Sequence, residues 1–256
     1  MNIMKKNTVR LDDYSWEEIK HLEENGYKTI VFGIGATEQH GPSLPLQADA
    51  LQADKAANII ASELPNALQA PTIRVGYSKY HMHFSGTITL RESTLQAIIE
   101  DYIDSFVHHG FSNIVIFISH GGNVPSTEKV VKSKQEQYPN TKIVYYYDQD
   151  AMTAIGELAM ELQLTPAQIG THAGHMEASL VQYYAEDLVD KNKLIEGYIG
   201  EWSEELHQKM HEMGMHTLTK NGVLGDQRGS SKEMGKKYLN VLKPVMMNYI
   251  KKKLEE

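Results

Sequence analysis

Short, nearly continuous apolar runs alternate along this chain with stretches whose apolar residues recur at three-and-four spacing. Thr29-Ile-Val-Phe-Gly-Ile-Gly35 and Asn113-Ile-Val-Ile-Phe-Ile-Ser119 are β-branched and uninterrupted, the pattern of strands buried on both faces. Further strands are predicted at residues 70–75, 87–90 and 142–147. Between them, Ser15-Trp-Glu-Glu opens a capped helix that ends near Gly26. Residues 49–64 form a second predicted helix. Residues 93–109 form a third, with Leu95, Ile98, Ile99, Tyr102, Ile103 and Phe106 on one face and Gly110 as its stop. A helix to about Gln137 follows the polar turn His120-Gly-Gly-Asn123, and a terminal helix is read at 240–254 after a polar excursion from Gly197 to Lys236. Strands alternating with helices predict one α/β domain over residues 1–256, its mainly parallel sheet covered by helices on both faces.

In such sheets ligands bind beyond the carboxyl ends of the strands, and chemistry-bearing residues fall there. Thr37-Glu-Gln-His-Gly-Pro follows the first strand and places Glu38 and His40 two residues apart; they point to one side if strand geometry persists past Ala36. Asp49 follows after a bent Gly/Pro path, either as a third ligand or as the cap of the next helix. His120 ends another strand before two glycines that allow close backbone approach to a ligand, although the same composition also serves an ordinary turn. In Thr171-His-Ala-Gly-His-Met-Glu, Gly174 separates His172 from helix formers, and Glu177 lies about one turn into the helix. His175 reads as a solvated residue or as support for a neighbour.

Composition narrows the classes. The 256 residues carry a net charge of -8 and 41% hydrophobic residues, enough for a substantial core. The acidic balance argues against nucleic acid or an anionic membrane as partner. No apolar run approaches the ~20 residues of a membrane span, and the first residues lack a signal peptide's hydrophobic stretch, so a cytoplasmic enzyme is expected. The chain contains no cysteine, which leaves nitrogen and oxygen as the ligands for any metal.

Together the three segments TEQHGPSLPLQAD, SHGGN and THAGHMEAS resemble the creatininase family of metal-dependent amidohydrolases. His83-Phe-Ser-Gly-Thr-Ile-Thr-Leu90 looks like that family's H-F-P-G-T-x-S-L, and Gly222-Val-Leu-Gly-Asp226 through Gly235 looks like its G-V-x-G-D-P segment. The resemblance, from about residue 8 to 250, implies a three-layer α/β/α sandwich with a binuclear centre. Carried over by motif, Glu38 and His120 bind one divalent ion, His40 and Glu177 the other, and Asp49 bridges both. Three ligands per ion leave positions open, as in catalytic sites, and the donor set suits Zn²⁺, Mn²⁺ or Fe²⁺. The implied chemistry is hydrolysis of a C–N bond in a cyclic or linear amide by a metal-bound hydroxide, with His172 as general acid/base. Backbone amides of Gly121, Gly122 and Asn123, together with His81 and His83, are the candidate contacts to a small-molecule substrate.

Several positions depart from the family pattern. Creatinine-hydrolysing members carry a carboxylate where this chain has Gly122, which puts strict creatininase activity in doubt. Ser43 replaces a common histidine, Tyr80 a common Glu, and Gln227 the usual proline. Hydrolysis of a C–C or C–O bond in a cyclic ketone or sugar-like ring is an alternative activity, and non-catalytic metal binding is another. Relatives are commonly hexamers, so a homo-oligomer is expected. Trp202 is a candidate substrate lid. Arg228 meets an anionic substrate or pairs locally with Asp226; local pairing is the favoured reading. The Met210, Met213 and Met215 group fits a core or an interface.

Overall fold

The structure, a computed structural model, describes residues 8–147, 151–201 and 203–256. Trp202, the N-terminal residues 1–7 and residues 148–150 lie outside the described residues. Four strands, β1 (Thr29–Ile34), β2 (Ala67–Gln69), β3 (Asn113–Ile118) and β4 (Lys142–Tyr146), form a parallel sheet of order β2-β1-β3-β4. The helices are α1 (Trp16–Glu24), α2 (Ala48–Glu63), α3 (Glu92–His108), α4 (Val124–Gln137), α5 (Met152–Glu161), α6 (Pro166–Ile169), α7 (His175–Ala185), α8 (Glu204–Met213) and α9 (Lys232–Glu255).

Successive strand residues point to opposite faces, and each face has its own cover. Ile30, Phe32, Ile34, Ile114, Ile116 and Ile118 pack with Leu95, Ile99 and Ile103 of α3 and Val130 of α4. Val31, Val115 and Phe117 pack on the other face with Ala53, Ala57 and Ile60 of α2 and Met246 and Ile250 of α9. Helix, sheet and helix therefore form a three-layer α/β/α sandwich, as expected for uninterrupted apolar strands. Among the described residues no helix is long and apolar enough to cross a membrane.

Helix α2 lies directly on the β1 main chain. A Cβ on Gly33 would sit 2.6 Å from the Ala53 carbonyl oxygen, and one on Gly35 2.6 Å from the Ala50 Cα. Only glycine permits this approach. It brings the first turn of α2, which holds Asp49, beside the loop that leaves β1.

Some boundaries differ from expectation. The strand read at 70–75 is β2 at Ala67–Gln69, because Pro71 has no N–H to continue the ladder. Pairing resumes only as a single bridge between Ile34 and Ile73. Residues 87–90 form no strand; Ile88 makes one antiparallel bridge to Thr37. Strand pairing of β1 ends at Ile34, so Glu38 and His40 owe their direction to the loop rather than to a continued strand. Helix α9 starts at Lys232 instead of near 240, since the Ser231 hydroxyl accepts the Met234 N–H at 3.2 Å and caps it there.

Candidate metal centre

The strand ends deliver Glu38, His40 and His120 to one buried point, and the first turns of α2 and α7 add Asp49 and Glu177. Glu38 and His40 are 0% exposed, Asp49 2% and His120 6%. Burying the Glu38 and Asp49 carboxylates, with the partly buried Glu177 beside them, is costly unless positive charge or donors meet them. Yet both Glu38 carboxylate oxygens and Asp49 Oδ2 lack a hydrogen-bond partner among the described residues.

Imidazole nitrogens face those oxygens. His40 Nε2 is 3.3 Å from Asp49 Oδ1 and 4.0 Å from Glu177 Oε2. His120 Nδ1 is 3.2 Å from Glu38 Oε1 and 3.6 Å from Asp49 Oδ2. His172 Nδ1 and His81 Nε2 lie 3.7 and 3.3 Å from Glu38 Oε1. Three overlapping groups have ligand atoms within 4.8 Å of one another: Glu38, His40 and Asp49; His40, His172 and Glu177; and Glu38, His81 and His172. The orphaned oxygens and this nitrogen-and-oxygen donor set fit divalent ions.

Three rings are oriented from behind by the main chain. His40 Nδ1 is 3.1 Å from the Glu38 carbonyl oxygen, His120 Nε2 is 2.9 Å from that of Tyr77, and His172 Nε2 is 2.8 Å from that of Gln39. A carbonyl only accepts, so each of these nitrogens carries a proton, and the other nitrogen of each ring faces the carboxylates. Metal-ligating histidines characteristically have such a partner.

Electrostatics of the ion-free cluster agree. Burial disfavours the charged His40 ring, but Asp49, Glu177 and Glu38 outweigh it and hold its pKa up at about 10. His120 behaves likewise, burial being outweighed by Glu38 and Asp49, and reaches about 9. Burial raises Glu177 to about 7 despite the nearby His40. Protons on His40 and His120 thus stand in for the cations that the carboxylates require. His172 is pushed well below its ordinary value, by burial first and then by His40 and His81, and is a neutral acceptor.

The segment from Thr171 to Glu177 is built around a strained residue. Ala173 adopts φ +54 between His172 and Gly174, a left-handed conformation unfavourable for a residue with a side chain. Its N–H donates to Glu177 Oε2, and the main chain of His172 is bonded to Leu224. These contacts point His172 and Glu177 at the same place.

The remaining expected site residues spread out. His81 is buried in the cluster, whereas His83 is exposed and stacks on His216 with ring centroids 3.6 Å apart. Asn123 is a brace: its Oδ1 accepts the Tyr77 N–H at 2.9 Å, its Nδ2 donates to the Gly35 carbonyl at 3.0 Å, and its own N–H is taken by the His120 carbonyl. Gly121 lies against the Tyr147 hydroxyl. A Cβ on Gly122 would sit 2.4 Å from the Tyr77 carbonyl, 2.5 Å from His120 Nε2 and 2.6 Å from the Tyr80 hydroxyl. His175 is buried, 2.9 Å from the Tyr238 hydroxyl, and serves packing. Arg228 pairs locally with Asp226 and Glu196. Ser43 and Gln227, two of the departures, meet each other: the hydroxyl donates to Gln227 Oε1 at 2.7 Å, and Gln227 Nε2 donates to the His40 carbonyl at 3.2 Å. Sequence reasoning missed Gln39, which touches two of the histidines; its only signal is its place between Glu38 and His40.

Comparison with known proteins bears on the family and the fold. A mycofactocin precursor peptide peptidase of Mycolicibacterium smegmatis is 28% identical over 202 residues, 77% of this chain and 74% of that protein. A creatinine amidohydrolase of Pseudomonas putida is 24% identical over 205 residues, 74% of this chain and 76% of its own. The fold superposes on the structure "Creatininase Mn" with a TM-score of 0.83 and 20% identity, covering 96% of this chain and 98% of the other. The creatininase family model, described as creatinine amidohydrolase, matches residues 12–249. With nearly its whole length matched and its strand ends bearing the motifs, the chain belongs to the creatininase family of hydrolases.

Proposed function

We propose that this protein hydrolyses a C–N bond of an amide with two divalent ions, Glu38 and His120 holding one, His40 and Glu177 the other, and Asp49 shared. The observation that carries the reading is the set of buried, unpartnered carboxylate oxygens facing imidazoles whose far nitrogens are tied to main-chain carbonyls. A bound pair of such ions supplies Lewis acidity and makes water nucleophilic near neutral pH. The manganese-bearing relative supports the choice of metal type.

The chain's own groups do the rest. His172 Nδ1 is bare, faces the cluster and belongs to a ring kept neutral by burial, so it accepts a proton from the attacking water and returns it to the leaving nitrogen. Glu38 and Asp49 make the site anionic and would hold the cations there. The relatives' names include peptide and creatinine substrates, both cleaved at C–N bonds. The crowding at Gly122 leaves no room for the carboxylate that creatinine-hydrolysing members carry, which favours a linear, peptide-like amide over creatinine.

Elemental analysis tests the centre. About two ions per chain are expected, falling sharply in Asp49→Ala and to about one in Glu177→Ala. A panel of short peptides and creatinine tests the reaction, with His172→Gln keeping its ions and losing turnover. Fewer than one ion per chain, unchanged by either ligand substitution and not restored by added Zn²⁺ or Mn²⁺, would sink the proposal.

A further inference from the structure

Four histidines surround Glu38 and Asp49, and one differs from the others. His40, His120 and His172 each place their far nitrogen on a carbonyl oxygen. His81 places its far nitrogen, Nδ1, on the side-chain amide of Gln39, 3.1 Å from Nε2. Whether that amide presents N–H or oxygen decides which nitrogen of His81 is protonated.

The surroundings of Gln39 fix the answer. Its Oε1 accepts the Gly41 N–H at 3.0 Å, and its Nε2 donates to the Gly222 carbonyl at 3.0 Å. Rotating the amide by half a turn would set two donors and two acceptors against each other in a buried place, Gln39 being 5% exposed. The amide has two hydrogens. One goes to Gly222. His172 Nε2, 3.0 Å away, does not take the other, because it is itself protonated toward the Gln39 carbonyl at 2.8 Å. Two acceptors remain for the second hydrogen, Met215 Sδ and His81 Nδ1, each 3.1 Å from Nε2. A thioether sulfur accepts only weakly and an imidazole lone pair strongly, so the hydrogen goes to His81 Nδ1 and the proton of neutral His81 resides on Nε2.

We infer that Gln39 is a positioning residue that withholds His81 from metal coordination, fixing it as an Nε2–H donor aimed into the site while His172 keeps a bare Nδ1. Of the three groups close enough to hold an ion, the one made of Glu38, His81 and His172 is thereby excluded. The His81 Nε2–H stands 3.3 Å from Glu38 Oε1 without hydrogen-bond alignment, which leaves it free to donate to a substrate or solvent oxygen. This deepens the metal-dependent reading and rests on it for the excluded ion, but the protonation pattern stands in the ion-free protein as well.

Long-range ¹H–¹⁵N correlation on histidine-labelled protein, ion-free and zinc-loaded, tests it, with His81→Gln used to assign the signal. The expected wild-type result is an Nε2–H tautomer of His81 in both states, its nitrogens unmoved by zinc. Gln39→Glu offers His81 only acceptors and is expected to transfer the proton to Nδ1, leaving Nε2 bare and now shifted by zinc. His81→Gln keeps the wild-type zinc count. An Nδ1–H tautomer in the wild type, a zinc-dependent coordination shift at His81 Nε2, or loss of about one ion in His81→Gln each overturns the inference. Should Gln39→Glu fail to fold, the wild-type tautomer and the His81→Gln ion count still decide. Absence of zinc shifts at every histidine would instead count against the metal centre, and the ion-free tautomer then tests Gln39 alone.

Discussion

Glu38→Gln separates the cost of the site from its use. The residue is wholly buried and neither carboxylate oxygen has a hydrogen-bond partner, so the substitution removes an anion with little change of shape. In chelator-treated protein, stability is expected to change little: Glu38 is the main support of the His120 charge, but its removal lets His120 become neutral and still leaves Asp49 and Glu177 beside His40. In loaded protein the two differ. At a free zinc concentration 100 times the dissociation constant, binding stabilises the wild type by about 2.7 kcal/mol. In a chain of this size that corresponds to a Tm rise of about 5–11 °C. If losing a ligand weakens affinity about 100-fold, the upper end of what outer partners of a site achieve, the same zinc stabilises the variant by only about 0.4 kcal/mol, about 1–2 °C. Differential scanning fluorimetry of both proteins, with chelator and across a zinc titration at neutral pH, reads all four states. Equal zinc-induced shifts in the two proteins, or a variant markedly less stable than wild type in chelator, would refute the reasoning.

Three further outcomes are expected. Gly122→Ala forces a methyl against His120 Nε2 and the Tyr77 carbonyl, the pair that orients His120, and is expected to lower zinc affinity about 10- to 100-fold in a calorimetric titration. Gly33→Ala drives a Cβ onto the Ala53 main chain and is expected to cost about 1–3 kcal/mol in urea unfolding. His175 has its pKa lowered by burial, so its neutral form stabilises the fold fully above the unfolded value near 6.5 and that contribution is lost as pH falls below it. Ion-free wild type should therefore lose more Tm between pH 7.5 and 5.5 than His175→Gln; parallel profiles would contradict this.

The sandwich was legible because β1 and β3 are uninterrupted apolar runs and α3 carries a clean three-and-four face; both signals are local. The short strand β2 was misplaced because the more strongly apolar residues after it include Pro71, whose missing N–H outweighs the pattern. Helices α5 and α6 passed unread. The buried side of α5, Ile155, Leu158 and Ala159, becomes a core only against Leu180, Tyr238 and Leu242 from distant parts of the chain. Within the site, residue types and spacing marked Glu38, His40, Asp49 and His120, the family resemblance added His172 and Glu177, and the fold brings all six together. What spacing does not encode is the hydrogen-bonded rear of each ring. The Tyr77 carbonyl behind His120 and the Gln39 amide behind His81 are set by tertiary contact, and the separation of buried His81 from exposed His83, two residues apart, follows from it.

The glycine contact between β1 and α2 also acts as a gauge. Glu38 and His40 leave the strand just beyond Gly33 and Gly35, and Asp49 stands on the helix pressed against those two residues. The helix that carries Asp49 is therefore set against the strand that feeds the Glu38–His40 loop by main chain on main chain, with no side chain at Gly33 or Gly35 to space them. Such a frame suits ions bound at about 2.0–2.2 Å by few donors. Calcium, at 2.3–2.6 Å and with six to eight oxygens, would need a wider and more oxygen-rich site, so at the proposed centre part of the choice among ions would be set by the packing of β1 on α2 in the hydrophobic interior.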